Sequence, residues 1–208
     1  MKLQRLAGYG PTAAFVSAAG LFVYAGFQFV PVPANLINVA LPVLFLSMFL
    51  WAAGLTVTVI DLEWLEHPAT STPWIRAALV AAIAATVAPL IMAAGIYSKV
   101  GYPYPVEAGA AVLLLGVGFS VLVHSIEGRR ARLLHGVLPW LGIVTGATFA
   151  YLGTLQFIYM FTPVLLMGFV YVFQPALLLY FIWAIWMGVH LVRSKAPARA
   201  KVTAPAAS

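Results

Sequence analysis

Apolar residues in this chain come in long unbroken runs rather than at every second, third or fourth position. A helix that is apolar all round has no water-facing side, so such runs belong in an environment that is apolar on every side. Six runs reach the length of about 20 residues that a helix needs to cross a bilayer's hydrocarbon. They cover residues 11–30, 35–60, 74–97, 106–125, 133–160 and 163–192. The pattern predicts an all-α fold, a polytopic membrane helix bundle with six transmembrane helices in one domain over residues 1–193.

Proline and polar residues punctuate the runs. Pro31 and Pro33 make a tight turn after the first, because proline breaks a helix and restricts the residue before it. Thr72-Pro73 reads as a helix start, a capping residue followed by a first-turn proline. Residues 61–73 and 127–132 are polar loops, and 99–105 is a turn rich in Gly, Pro and Tyr. Pro42, Pro89 and Pro175 fall inside spans, with a kink expected at Pro89. The last two runs exceed the minimum and must tilt, kink or protrude. In an alternative division, span five ends near Gly153 and span six starts near Gln174, with the same span count. Residues 194–208, rich in Ala, Pro, Lys and Arg, are expected to form a disordered basic tail.

Composition narrows the setting. Hydrophobic residues make up 63% of the chain and charged residues 8%, against about 25% charged in soluble domains. A globule of this size cannot hide so much apolar surface from water, whereas a bilayer solvates it. Met1-Lys2-Leu3-Gln4-Arg5 before an apolar run has the outline of a secretory signal. No convincing small-residue cleavage site follows before Pro31, so the run is expected to remain as the first span.

Charge sets the expected orientation. With the N-terminus in the cytoplasm, Lys2, Arg5, Arg76, Arg129, Arg130, Arg132, Arg193, Lys195, Arg199 and Lys201 all fall on the cytoplasmic side, and of the Lys and Arg residues Lys99 alone falls outside. An odd span count would throw the basic tail across the membrane, so the positive-inside rule favours six spans with both termini cytoplasmic, in the cell membrane. Trp64, Trp74, Trp140 and Trp186 then sit near the inner interface. The net charge of +6 is read as headgroup attraction and topology, and nucleic acid is not an expected partner. At an offset of 128, Leu6, Gly8, Pro11, Ala19, Gln28 and Phe29 match Leu134, Gly136, Pro139, Ala147, Gln156 and Phe157. In a sequence dominated by a few apolar letters this faint repeat is attributed to chance.

Chemistry is sparse. The chain has no cysteine, so a Cys-ligated centre, a disulfide and thiol catalysis are excluded, and the sequence requires no cofactor. No acidic or basic residue falls near the middle of a span, which argues against ion-coupled transport. His67, His124, His135 and His190 all fall in the cytoplasmic layer, and Glu63 lies four residues before His67, a spacing that puts both on one helix face. These five are the candidate metal or haem ligands, since bundles build such sites from facing helices. Without a multi-ligand motif, histidines at this depth are read first as interfacial residues.

Gln28, Gln156 and Gln174 are candidates to line a ligand cavity in the outer half, against the plainer reading of amides bonding neighbouring helices. Gly142 and Gly146, and the stripe Ala77, Ala81 and Ala85, mark faces where helices approach closely, within the bundle or towards a partner subunit or second copy. Tyr97, Tyr102 and Tyr104 around Lys99 read as an aromatic belt on a proline-stiffened turn. In size and layout the chain is similar to the substrate-capture subunits of vitamin importers and to small bacterial membrane proteins; that similarity rests on no motif, so no site residues carry over. The function expected is non-enzymatic binding of a partner subunit or an apolar, lipid-like ligand in the bilayer. The alternatives are a metal or haem protein using the histidine layer, and a facilitator for a small neutral solute.

Overall fold

A computed structural model describes residues 9–29, 32–66, 73–98, 104–161 and 169–203. Six α-helices account for nearly all of them: α1 (Gly10–Phe29), α2 (Ile37–Glu66), α3 (Pro73–Ser98), α4 (Tyr104–Arg130), α5 (Leu138–Tyr159) and α6 (Phe169–Thr203). A single 3-10 turn, Ala34–Leu36, leads into α2, and no strand occurs among the described residues. All six helices are long and apolar enough to cross a membrane.

Each helix packs against the next in sequence, and α6 returns to α1, so the bundle closes as an up-and-down ring. The antiparallel register is visible at the glycines. Gly20 faces the backbone of Ser47 and Trp51, and Gly54 faces Ala13 and Ser17. Gly116 faces Ala81 and Ala85, and Gly146 faces Gly118 and Leu122. At each of these a side chain would meet the neighbouring helix within about 3 Å of its Cβ. One end of the ring therefore holds Gly10, Asp61, Arg76, Arg130, Leu138 and Arg193, and the other holds Ile37, Ser98, Tyr104 and Tyr159. The described arginines are all at the first end, called the basic end below.

Aromatic rings fill the centre. Trp51 from α2, Phe149 from α5 and Tyr180 from α6 meet edge-to-face with centroids 5.5–5.8 Å apart, within the range where ring quadrupoles attract. Tyr24 of α1 stacks on Trp51 at 5.8 Å. The Ser17 hydroxyl donates to the Trp51 carbonyl at 2.7 Å and lies 2.8 Å from the Tyr180 oxygen, tying α1, α2 and α6 together through buried polar atoms.

Four boundaries differ from the sequence reading, the first being that α4 continues past residue 125 to Arg130, taking most of the expected loop 127–132 into the helix. α2 continues past residue 60 to Glu66, taking Asp61 and Glu63 into the helix; packing of Asp61 against Gly10 carries it on. The fifth helix starts at Leu138 rather than at residue 133, because α4 ends in a left-handed turn. Arg132 has φ 56°, its amide donates to the Arg129 carbonyl at 3.1 Å, and the Leu133 amide donates to that of Gly128 at 2.9 Å. This pair of bonds is the Schellman stop signal. The last helix runs on to Thr203 through residues 194–203, where a disordered tail is expected, and passes Pro197 on the way.

Candidate functional site

A groove of about 530 Å³ lies on the side of the ring between α1 and α6. Leu21, Phe22 and Ala25 of α1 form one wall, and Gln174, Leu178 and Phe181 of α6 are part of the other. The two helices are also in contact on the way to it from the basic end. Near that end, Phe15 lies on Gly188 with its ring atoms about 3 Å from the position of an added Cβ. Further along, contact is kept by the larger pair Phe22 and Phe181, with centroids 6.0 Å apart. Pro175 also lines the groove, at a point where its ring cannot supply the backbone donor of an ordinary helix residue. Gln174 is exposed and brings an amide to a space otherwise walled by hydrocarbon. Its carbonyl and amino group offer both an acceptor and donors.

Of the three glutamines expected to share a polar spot, Gln174 lines this groove. Gln156 is half-buried on α5 and does not line it. The side chain of Gln28 lies outside the described residues.

The histidine layer is not gathered into one place. His67 and the side chain of Glu63 lie outside the described residues. His124 is 2% exposed inside the bundle, its Nδ1 2.8 Å from the Ser120 carbonyl one turn back. A carbonyl accepts only, so Nδ1 carries the proton and donates. His135 is exposed in the turn between α4 and α5. His190 is half-buried on α6, where its ring meets the Leu133 backbone and lies near His135. Among the described residues no three His, Asp or Glu side chains come together as a metal site.

The small residues sort by face. Gly142 lies against Ser125 of α4 and the Trp183 indole nitrogen, and Gly146 lies against Gly118 and Leu122, so both serve packing inside the ring. In α3, Ala85 is buried and Ala81 half-buried against Gly116, while Ala77 is exposed. The buried face of that helix is the neighbouring stripe, Ala78, Ala82, Ala85 and Ala88.

Besides His124, several polar residues that are not among the candidate site residues are buried. Ser17, Ser47, Thr58, Asp61, Ser120, Ser125 and Thr145 are all within the core. Asp61, assigned to a loop by its polar neighbours, is 1% exposed against Gly10. Two signals were present: the acid directly follows the unbroken apolar run of span two, and a glycine at residue 10 offers a helix start with room for a side chain. At the basic end the exposed charges are partly engaged. The Arg129 guanidinium lies 4.1 Å over the Trp140 ring, and Arg130 pairs with Glu127 at 2.7 Å.

Fold and groove together define a class: an all-helical bundle of six helices, each long and apolar enough to span a membrane, with an apolar side opening. Comparison with protein-family models, with curated proteins and with solved structures returns no match.

Proposed function

We propose that this chain is a multi-pass protein of the cell membrane that binds a lipid-like molecule in the groove between α1 and α6, without catalysing a reaction on it. Membrane insertion is supported by the outer surface. Val39 (65% exposed), Val80 (65%) and Phe161 (72%) lie on the outside of the bundle, and so do many other apolar residues. A water-soluble protein rarely carries a contiguous apolar surface of that extent. The clustering of arginines at one end supports placing that end, with both termini, in the cytoplasm.

The observation that carries the ligand reading is the groove itself. It lies between apolar residues of α1 and α6, several of them exposed on the outside of the ring, and Gln174 is its amide. A ligand arriving through the bilayer meets an apolar trough with one hydrogen-bonding position. That suits a molecule with a long apolar tail. Pockets for small ligands are in general mostly apolar, with a few placed polar groups.

The test is native mass spectrometry of the protein released from mild detergent. The wild type is expected to carry a lipid-mass adduct. Leu178→Trp fills the trough and is expected to lose it, while Leu90→Trp, on the outward face of α3, keeps it. Adducts of equal abundance in both variants, or none in the wild type, would overturn the reading.

A further inference from the structure

Phe181 stands between this groove and another cavity. That second cavity is a furrow of about 370 Å³, which follows α6 along Ile182, Ile185, Trp186 and Val189 to Arg193. Trp186 and Arg193 are exposed, and Arg193 closes the furrow at the basic end, within a residue of where the apolar span Val172–Ser194 stops. From Phe181 to Arg193 the helix advances about 18 Å at 1.5 Å per residue. The apolar half-thickness of a bilayer is about 15 Å. A lipid whose headgroup sits at Arg193 therefore has the end of its tail at Phe181, where the wider groove begins.

We infer that the furrow holds an anionic phospholipid of the basic-side leaflet, its phosphate on the Arg193 guanidinium and one acyl chain running over Trp186 and Ile182 to Phe181. The inference rests on the lipid-binding reading above and supplies the headgroup class. Charge complementarity chooses the occupant: the furrow is apolar along its length and cationic at one end, matching an acyl chain and a phosphate in that order. Guanidinium binds phosphate with two parallel N–H bonds, which holds a headgroup in register with the furrow. Trp186 lies two turns earlier, about 10 Å along the helix at 1.5 Å per residue, so its ring borders the path of the acyl chain and not the headgroup. Arg129, at the same end of the ring, lies over the Trp140 ring of α5, does not line the furrow, and serves as an internal control.

The experiment uses the full chain in detergent with added phosphatidylglycerol or phosphatidylcholine of identical acyl chains, again read by native mass spectrometry. Wild type is expected to prefer phosphatidylglycerol by about five-fold, the worth of one basic side chain at a membrane surface. Arg193→Gln is expected to abolish the preference, and Arg129→Gln to keep it. If Arg193→Gln keeps the preference, or Arg129→Gln loses as much, general surface charge explains the binding and the inference falls. Loss of adducts in Leu178→Trp with an Arg193-independent preference overturns this inference and leaves the groove reading standing. Adducts and preference both unmoved by Leu178→Trp bring down the groove reading, and with it this inference.

Discussion

The Ser17 hydroxyl has one proton, and it donates that proton to the Trp51 carbonyl at 2.7 Å. Its contact with the Tyr180 hydroxyl at 2.8 Å therefore has Tyr180 as donor. A chain of two bonds links α6 to α1 and α1 to α2 in the middle of the aromatic core. Ser17→Ala leaves the buried Tyr180 donor without this acceptor, whereas Tyr180→Phe removes donor and need together. Interhelical bonds in membranes average about 0.6 kcal/mol, and stranding a buried group costs about 1–3 kcal/mol. Ser17→Ala is expected to lower the melting temperature in detergent more than Tyr180→Phe does. The double variant should cost less than the sum of the two, as coupled sites do. Strict additivity would show that the bond does not form.

One substitution made at two glycines should change stability in opposite directions. A Cβ on Gly26 meets nothing within 4 Å, while one on Gly146 meets the Leu122 amide and lies 2.7 Å from the Gly118 carbonyl. Gly26→Ala should gain about 0.5–1 kcal/mol, since alanine loses less backbone freedom in a helix. Gly146→Ala should lose about 1–3 kcal/mol through overpacking. Thermal unfolding of the two variants in one detergent decides it. A stabilised Gly146→Ala would contradict the close approach of α4 and α5.

This pair also shows what the sequence makes legible. Six apolar runs are long enough to cross a hydrocarbon layer, which is why all six helices are readable, though several of their ends are not. Gly142 and Gly146 are readable as packing positions because only small residues let backbones approach in lipid. Which alanine stripe of α3 turns inward is not readable, since Ala77, Ala78, Ala81 and Ala82 are the same residue and only the ring's closure chooses among them. Buried polar residues fail for a related reason. In a helix apolar on every side, no period marks the inner face, so Ser17 and Thr145 look like Thr148, which is half-buried, and Thr154, which is exposed. The groove between α1 and α6 is lined by residues far apart in sequence, Leu21 and Phe22 with Gln174 and Phe181, and no local pattern announces it.

The turn after α4 carries a removable strain. Arg132 occupies the left-handed position of the helix stop, with φ 56°, where glycine is the usual residue. A side chain there costs roughly 1–2 kcal/mol. Arg132→Gly is therefore expected to be more stable than Arg132→Ala by about 1 kcal/mol, the two variants sharing the loss of charge. Chemical or thermal unfolding compares them directly. If the alanine variant matched the glycine variant, the left-handed turn would not be the conformation of this loop.

The orientation proposed for the bundle makes its own demand on the chain. The sequence contains no cysteine, so a single introduced thiol is the sole labelling site and no background residue needs removal. Tyr9 at the start of α1 and Ala131 in the turn after α4 lie at the basic end, and Val32 lies beyond the other end of α1. If the arginines at the basic end are retained in the cytoplasm, Val32→Cys should react with a membrane-impermeant maleimide on intact cells. Tyr9→Cys and Ala131→Cys should react only after permeabilisation. The up-and-down ring requires Tyr9 and Ala131 to behave alike whichever way the protein inserts, because three complete helical crossings from α2 to α4 follow the one in α1. Opposite labelling of those two sites would break the ring itself. A shared exchange of sides for all three would spare the ring and overturn the charge argument for its orientation.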